Sequence, residues 1–104
     1  MEQRQSTRYR VEAPAIMRVQ GRPGPFLITV LDVSESGLRV SSSSAIPAGS
    51  KITITVKGTI ITGEVRYARN VDDEFHLGVQ ADEAPDSKMD LTTLFQNRRS
   101  VGRP

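Results

Sequence analysis

Two short motifs near the start of the chain carry the side chains best suited to bind a ligand. Arg4 and Arg8 form an R-x-x-x-R pattern, and Asp32, Ser34 and Gly37 form a D-x-S-x-x-G pattern. A guanidinium group makes paired hydrogen bonds with phosphate and with the O6/N7 edge of guanine, and a carboxylate accepts hydrogen bonds from the N–H donors of a base. Together the motifs have side chains that could hold a planar, anionic ligand that carries guanine.

Each motif also has a simpler structural interpretation. The two arginines could belong to a solvated terminal arm. Asp32 and Ser34 are common turn residues that hydrogen-bond to their own backbone, and Gly37 could supply a positive φ. A tight turn would also aim Asp32 and Ser34 outward, so the two interpretations are compatible.

The composition is typical of a single globular domain. The chain has 104 residues, of which 37% are hydrophobic and 25% charged, and its net charge is +2. The absence of cysteine excludes disulfides, thiolate metal sites and cysteine nucleophiles. The N-terminus lacks the apolar stretch of a secretory signal, and the longest apolar run, residues 26–31, is too short to span a bilayer. We therefore expect a cytoplasmic protein with no membrane insertion.

Alternation of apolar and polar residues predicts six β-strands between residues 12 and 82. They are expected at about residues 13–20, 26–31, 37–41, 52–56, 59–69 and 75–79. The second strand is nearly continuous in apolar residues and is interpreted as buried. A bend is expected at Gly63, and residues 41–49 are interpreted as a loop. Six short strands joined by tight turns favour a small antiparallel barrel.

The pattern changes after Pro85 to the spacing of a short amphipathic helix. Its apolar stripe is expected to cover one opening or flank of the barrel and consists of Met89, Leu91, Leu94 and Phe95. The predicted fold class is thus all-β with a terminal α-helix. We divide the chain into a flexible N-terminal ligand-binding arm (1–11), a barrel with its C-terminal helix (12–97) and a disordered tail (98–104).

Enzymatic chemistry has little support in the sequence. His76 is the only histidine, and alternation places it on the face of its strand opposite its apolar neighbours, at the surface or rim. A trio of Asp32, Ser34 and His76 can be imagined, but the serine lacks the G-x-S-x-G elbow of a nucleophile. Acidic residues 72–74 lack the spacing of a calcium loop. We predict no catalytic residue, no metal and no cofactor.

The order and spacing of the motifs resemble the PilZ domain, the bacterial receptor module for cyclic di-GMP. The resemblance covers nearly the whole chain and is carried by residues 4–11, 31–38, 63–67 and 75–79. It implies a six-stranded antiparallel barrel with a C-terminal helix, in agreement with the alternation. It also implies second-messenger signalling, such as the regulation of motility or biofilm formation.

The resemblance implies that cyclic di-GMP contacts Arg4, Arg8, Asp32, Ser34 and Gly37. The arginines would bind phosphate and the O6/N7 edge of guanine, and the aspartate would accept from guanine N1–H or N2–H. The serine would supply a hydroxyl contact, and the glycine would let the backbone turn closely beneath the ligand.

The chain has only five aromatic residues, two tyrosines and three phenylalanines. Tyr9 and Arg10, which follow the arginine motif, are therefore the candidates for stacking on a base or for secondary contacts with the ligand. Gln3 occupies a position where many members of the family carry a basic residue. This departure favours one bound ligand over a stacked pair.

The implied mechanism is a switch. Ligand binding would close residues 1 to about 10 over the barrel and present a new surface to an unidentified protein effector in trans. One alternative is a PilZ-like interaction domain that binds no nucleotide, which the intact set of five motif residues argues against. Another is a small-barrel RNA-binding protein, which the low net charge and the lack of an aromatic platform argue against. We expect no nucleic acid polymer as partner.

Overall fold

The computed structural model describes residues 9–82, which form a closed six-stranded barrel. The strands are β1 (Tyr9–Val19), β2 (Phe26–Val33), β3 (Gly37–Ser42), β4 (Lys51–Val56), β5 (Thr59–Val71) and β6 (Glu74–Ala81). All neighbouring pairs are antiparallel, and the spatial order is β1-β2-β3-β6-β5-β4. The predicted six-stranded antiparallel barrel is confirmed, and the predicted helix and tail lie outside the described residues.

The barrel interior is filled by aliphatic side chains from all six strands. In β1 every second residue from Ala13 onward is buried, and Met17 is fully buried. Leu38 and Leu77 contribute from β3 and β6, and Ile46 enters from the segment between β3 and β4. The alternation in the sequence therefore reports the inward face of the strands. Tyr9 and Arg10, assigned to the arm, are the first residues of β1.

Strand β2 has apolar residues on both faces, so its interpretation as a buried strand is wrong in part. Ile28 and Val30 face the core, whereas Leu27 is 79% exposed. Leu27 pairs with Ile16 of β1, which is 42% exposed, and the two form an apolar cross-strand pair on the outside of the barrel. A nearly continuous apolar run does not distinguish a strand buried on both faces from a strand with apolar residues on its outer face.

Irregular pairing occurs at three places in the barrel. The register shifts between Arg10 and Ala13 in β1, between Val30 and Asp32 in β2, and between Val65 and Tyr67 in β5. Gly63, where a bend is expected, pairs with Ile52 and Ala81, and the register shift of β5 begins two residues later, at Val65. Each bulge changes which side chains of the following residues face outward.

The serine-rich segment is shared between a strand and a loop. Ser41 is in β3, as the predicted strand 37–41 requires, and Ser42, expected in the loop, is the last residue of this strand. Ser42 is buried, and its hydroxyl donates to the carbonyl of Ser44 and accepts from the backbone N–H of the same residue, both at 3.0 Å. The described part of the chain contains no helix long and apolar enough to cross a membrane.

Candidate functional site

The D-x-S-x-x-G motif forms the turn between β2 and β3. The backbone N–H of Ser34 donates to the carbonyl of Gly37 at 2.8 Å, and the Ser34 hydroxyl donates to the same oxygen at 3.3 Å. Asp32 and Ser34 are only 4% and 7% exposed, so this turn does not leave their side chains open to solvent. Both residues are built into the structure of the turn region.

Asp32 forms an ion pair with Arg39, a residue that the sequence analysis did not identify. The two residues pair directly across β2 and β3. Arg39 donates through Nε at 2.9 Å and through Nη2 at 2.6 Å, and both bonds end on Oδ2 of Asp32. The Asp32 side chain is 6% exposed, whereas that of Arg39 is 38% exposed. The pair thus links a buried carboxylate to a guanidinium at the surface.

Asp32 and Arg39 belong to a row of residues that runs across five strands. Arg10 pairs with Asp32, Arg39 pairs with Gly78, and Gly78 pairs with Tyr67. Because directly paired residues project from the same face of a sheet, these positions lie side by side on the outside of the barrel. We call them the outer-face row; with strands about 4.8 Å apart, the row is about 19 Å wide.

Tyr67 supplies a flat aromatic surface at one end of this row. A Cβ atom at Gly78 would overlap ring atoms of Tyr67, so the ring lies against the glycine backbone. Tyr67 remains 42% exposed, and the guanidinium carbon of Arg69 lies 5.8 Å from its ring centroid. A planar group can therefore stack on the exposed part of the ring, beside the guanidinium of Arg69.

A shallow pocket of about 130 Å³ joins the motif turn to this tyrosine. Its lining consists of Ser34, Ser36, Gly37, Leu38, Arg66, Tyr67, Gly78, Val79 and Gln80. A larger groove of about 660 Å³ lies elsewhere and includes the acidic side chains of Asp72, Asp73 and Glu74. The acidic groove is poorly suited to an anion, so the smaller pocket is the better candidate despite its size.

Gly37 is required by the close approach of β3 and β6. Its φ lies outside the left-handed region, so the suggestion that it supplies a positive φ is wrong. A Cβ atom at this position would lie 2.6 Å from the carbonyl oxygen of Val79. The motif glycine therefore allows two strands to meet beneath the pocket.

The structure brings together only part of the predicted site. Asp32, Ser34 and Gly37 lie around the motif turn, and Arg10 lies beside Asp32. Tyr9, which is 39% exposed, begins β1 opposite Val33. The predicted residues Arg4 and Arg8 lie outside the described residues.

Arg39 and Tyr67 were missed because register, which local alternation does not report, places them beside the motif. Within residues 9–82, no cluster of three or more histidine, aspartate or glutamate side chains could hold a metal ion.

The family of the chain follows from its match to a known family model. A search of curated proteins found no match to the chain. The family model of the PilZ domain matches residues 2–96, which include both arginines and the whole D-x-S-x-x-G turn. Since this match covers most of the sequence, the chain belongs to the PilZ domain family.

Proposed function

We propose that this PilZ domain binds cyclic di-GMP on the outer-face row and signals to a protein partner in trans. The family is associated with cyclic di-GMP binding and consists of binding and adaptor modules rather than enzymes. The observation that carries the proposal is the juxtaposition of Asp32, Arg39 and Tyr67 beside the motif pocket. Cytoplasmic location and a role in motility or biofilm regulation stay predictions.

The chemistry of the row fits a guanine nucleotide. The exposed ring of Tyr67 offers a stacking surface, and a base stacked on an aromatic side chain gains about 1–3 kcal/mol. Asp32 offers a carboxylate for guanine N1–H and N2–H, and the arginines offer partners for phosphate and for O6/N7.

Residues 1–8 are close enough to the outer-face row along the chain to cover a ligand bound there. Arg10 pairs with Asp32, and Arg8 precedes it by two residues, which is a span of about 7 Å of extended chain. Arg4 precedes Arg10 by six residues, which is about 20 Å and comparable to the width of the row. Both arginines can therefore reach a ligand on the row. Closing this segment over the ligand would change the surface offered to the partner.

One observation favours the alternative of a PilZ-like interaction domain that binds no nucleotide. Asp32 is already bonded to Arg39, and the Ser34 hydroxyl is already bonded to Gly37. Both side chains thus have structural roles that need no ligand. A binding experiment has to separate the two functions.

Calorimetric titration with cyclic di-GMP tests the proposal. We expect micromolar or tighter binding to the native chain with one ligand per chain, because Gln3 stands where a further basic residue would be. Arg8→Ala should weaken binding at least about tenfold, the loss expected for a charge-assisted hydrogen bond. Arg18→Ala is the matched control, since Arg18 is an exposed arginine of β1 that pairs with Thr53, away from the row.

Two results would contradict the proposal. The native chain could give no heat and no thermal stabilisation at high ligand concentration, which would favour the interaction domain. Equal losses in Arg8→Ala and Arg18→Ala would instead indicate nonspecific attraction of an anion.

A further inference from the structure

The Asp32–Arg39 pair has a geometry that orients the carboxylate. Nε and Nη2 of Arg39 both donate to Oδ2, so rotation of the carboxylate about its Cβ–Cγ bond would break two hydrogen bonds at once. The carboxylate is also buried, where charge-assisted bonds are stronger than in water. Arg39 therefore fixes the direction of Oδ1 as well as that of Oδ2.

Arg39 has space for its side chain in the row. Its other cross-strand neighbour is Gly78, which has no side chain to compete for space. Beyond Gly78 lies the Tyr67 ring, on which we propose that the base stacks. In the row Arg39 thus lies between Asp32 and Gly78, so the side chain that holds the carboxylate is next to the glycine on which the proposed stacking surface lies.

We propose that Arg39 is a positioning residue that sets the preference of the site for guanine over adenine. Guanine presents N1–H and N2–H donors to a carboxylate, whereas adenine presents an unprotonated N1 at the corresponding position. A fixed carboxylate rejects adenine because its oxygens would face a lone pair and lose their hydrogen bonds. A carboxylate free to rotate would discriminate less. This inference rests on the proposed function and names a determinant of its specificity.

Titrations with cyclic di-GMP and cyclic di-AMP, run on the same set of variants, test this role. For the native chain we expect a clear preference for cyclic di-GMP. Asp32→Asn and Arg39→Gln should each reduce the ratio of the two affinities by about tenfold or more, and the double variant should lose little beyond either single one. Arg39→Lys, which keeps the charge without the two-bonded fork, should lie between native and Arg39→Gln.

Arg66→Gln is the matched control, because Arg66 lines the pocket next to Tyr67 and lies outside the outer-face row. It should lower the affinity for both nucleotides by a similar factor, since it removes a positive charge and leaves the carboxylate fixed. Thermal melts of each variant establish that it is folded. If Arg39→Gln does not fold, the same ratio is measured on Arg39→Lys, where we expect about a threefold reduction.

The outcomes separate this inference from the function on which it rests. If the native chain binds neither nucleotide, the proposed function fails and the inference fails with it. If Asp32→Asn loses the preference but the folded Arg39 variants keep the native ratio, the function stands and the inference is wrong. Tighter binding of cyclic di-GMP by Arg39→Gln would show that Arg39 competes with the ligand for the carboxylate, which also overturns the positioning role.

Discussion

Replacing Gly37 with alanine tests the assigned role of the motif glycine. The new Cβ would lie 2.6 Å from the carbonyl oxygen of Val79, about 0.8 Å less than the 3.4 Å at which ordinary contacts begin. The oxygen belongs to the backbone of β6, which is paired with β3 at this level, so the clash is relieved only if the strands separate. A flexible side chain cannot move aside to accommodate it.

The expected cost follows from two opposing effects. Overpacking in a well-packed region costs about 1–3 kcal/mol. Alanine lowers the conformational entropy of the unfolded chain, which offsets about 0.4–1 kcal/mol. We therefore expect Gly37→Ala to reduce the free energy of unfolding by about 1–2 kcal/mol, with a fall in Tm of about 4–8 °C for each kcal/mol.

Urea unfolding and thermal melts measure this cost, and Gly78→Ala is the matched variant. A Cβ at Gly78 would overlap the ring of Tyr67, which is 42% exposed and can swing into solvent. Its stability loss should be smaller, at most about 1 kcal/mol, while its affinity for cyclic di-GMP should fall because the ring is displaced. A native stability for Gly37→Ala, or a larger loss in Gly78→Ala, would refute the close-approach argument.

The remaining predictions concern the platform, the core and one turn. Tyr67→Ala should weaken cyclic di-GMP binding by about five- to a hundredfold in calorimetry while Tyr67→Phe binds normally, and equal losses would argue against stacking. Met17→Ala should lower the free energy of unfolding in urea by about 2–5 kcal/mol, because Met17 is fully buried. Leu27→Ala should change this free energy by no more than about 0.5 kcal/mol, because Leu27 is exposed, and similar losses in the two variants would contradict the assigned strand faces. Lys57 and Gly58 join β4 to β5 with φ of 51° and 78°, as in a type I′ turn that favours asparagine first. Lys57→Asn should therefore raise stability by about 0.5–1 kcal/mol, and a lower Tm would argue against strain at this lysine.

Local sequence patterns were sufficient for most of the barrel. A strand with one face inside a barrel must alternate, so the six strands and their approximate limits follow from residues close together in the chain. The motif turn was also predictable, because serine and glycine at these spacings form turns through local hydrogen bonds. Local patterns failed at Leu27, since an apolar residue can lie on either face of a strand.

The candidate site also has a part that the sequence predicted and a part that it did not. The R-x-x-x-R and D-x-S-x-x-G motifs are properties of the sequence, and they were enough to indicate the family and a ligand class. The residues that lie beside the motif could not be predicted from the sequence, because Arg39, Gly78 and Tyr67 come from three different strands. Their meeting depends on the bulges in β2 and β5, and a shift of one residue in either strand would move these side chains to the other face.

The sequence by itself determined the strand number, the barrel class and the identity of the motif side chains, since each depends on residues near one another in the chain. Only the tertiary structure decided that Asp32 is buried against Arg39, that Gly37 lets β3 and β6 approach closely, and that Tyr67 lines the pocket beside the motif turn. The physical reason is that strand order and register are set by packing the whole barrel, where each strand satisfies two neighbours and one shared core at once.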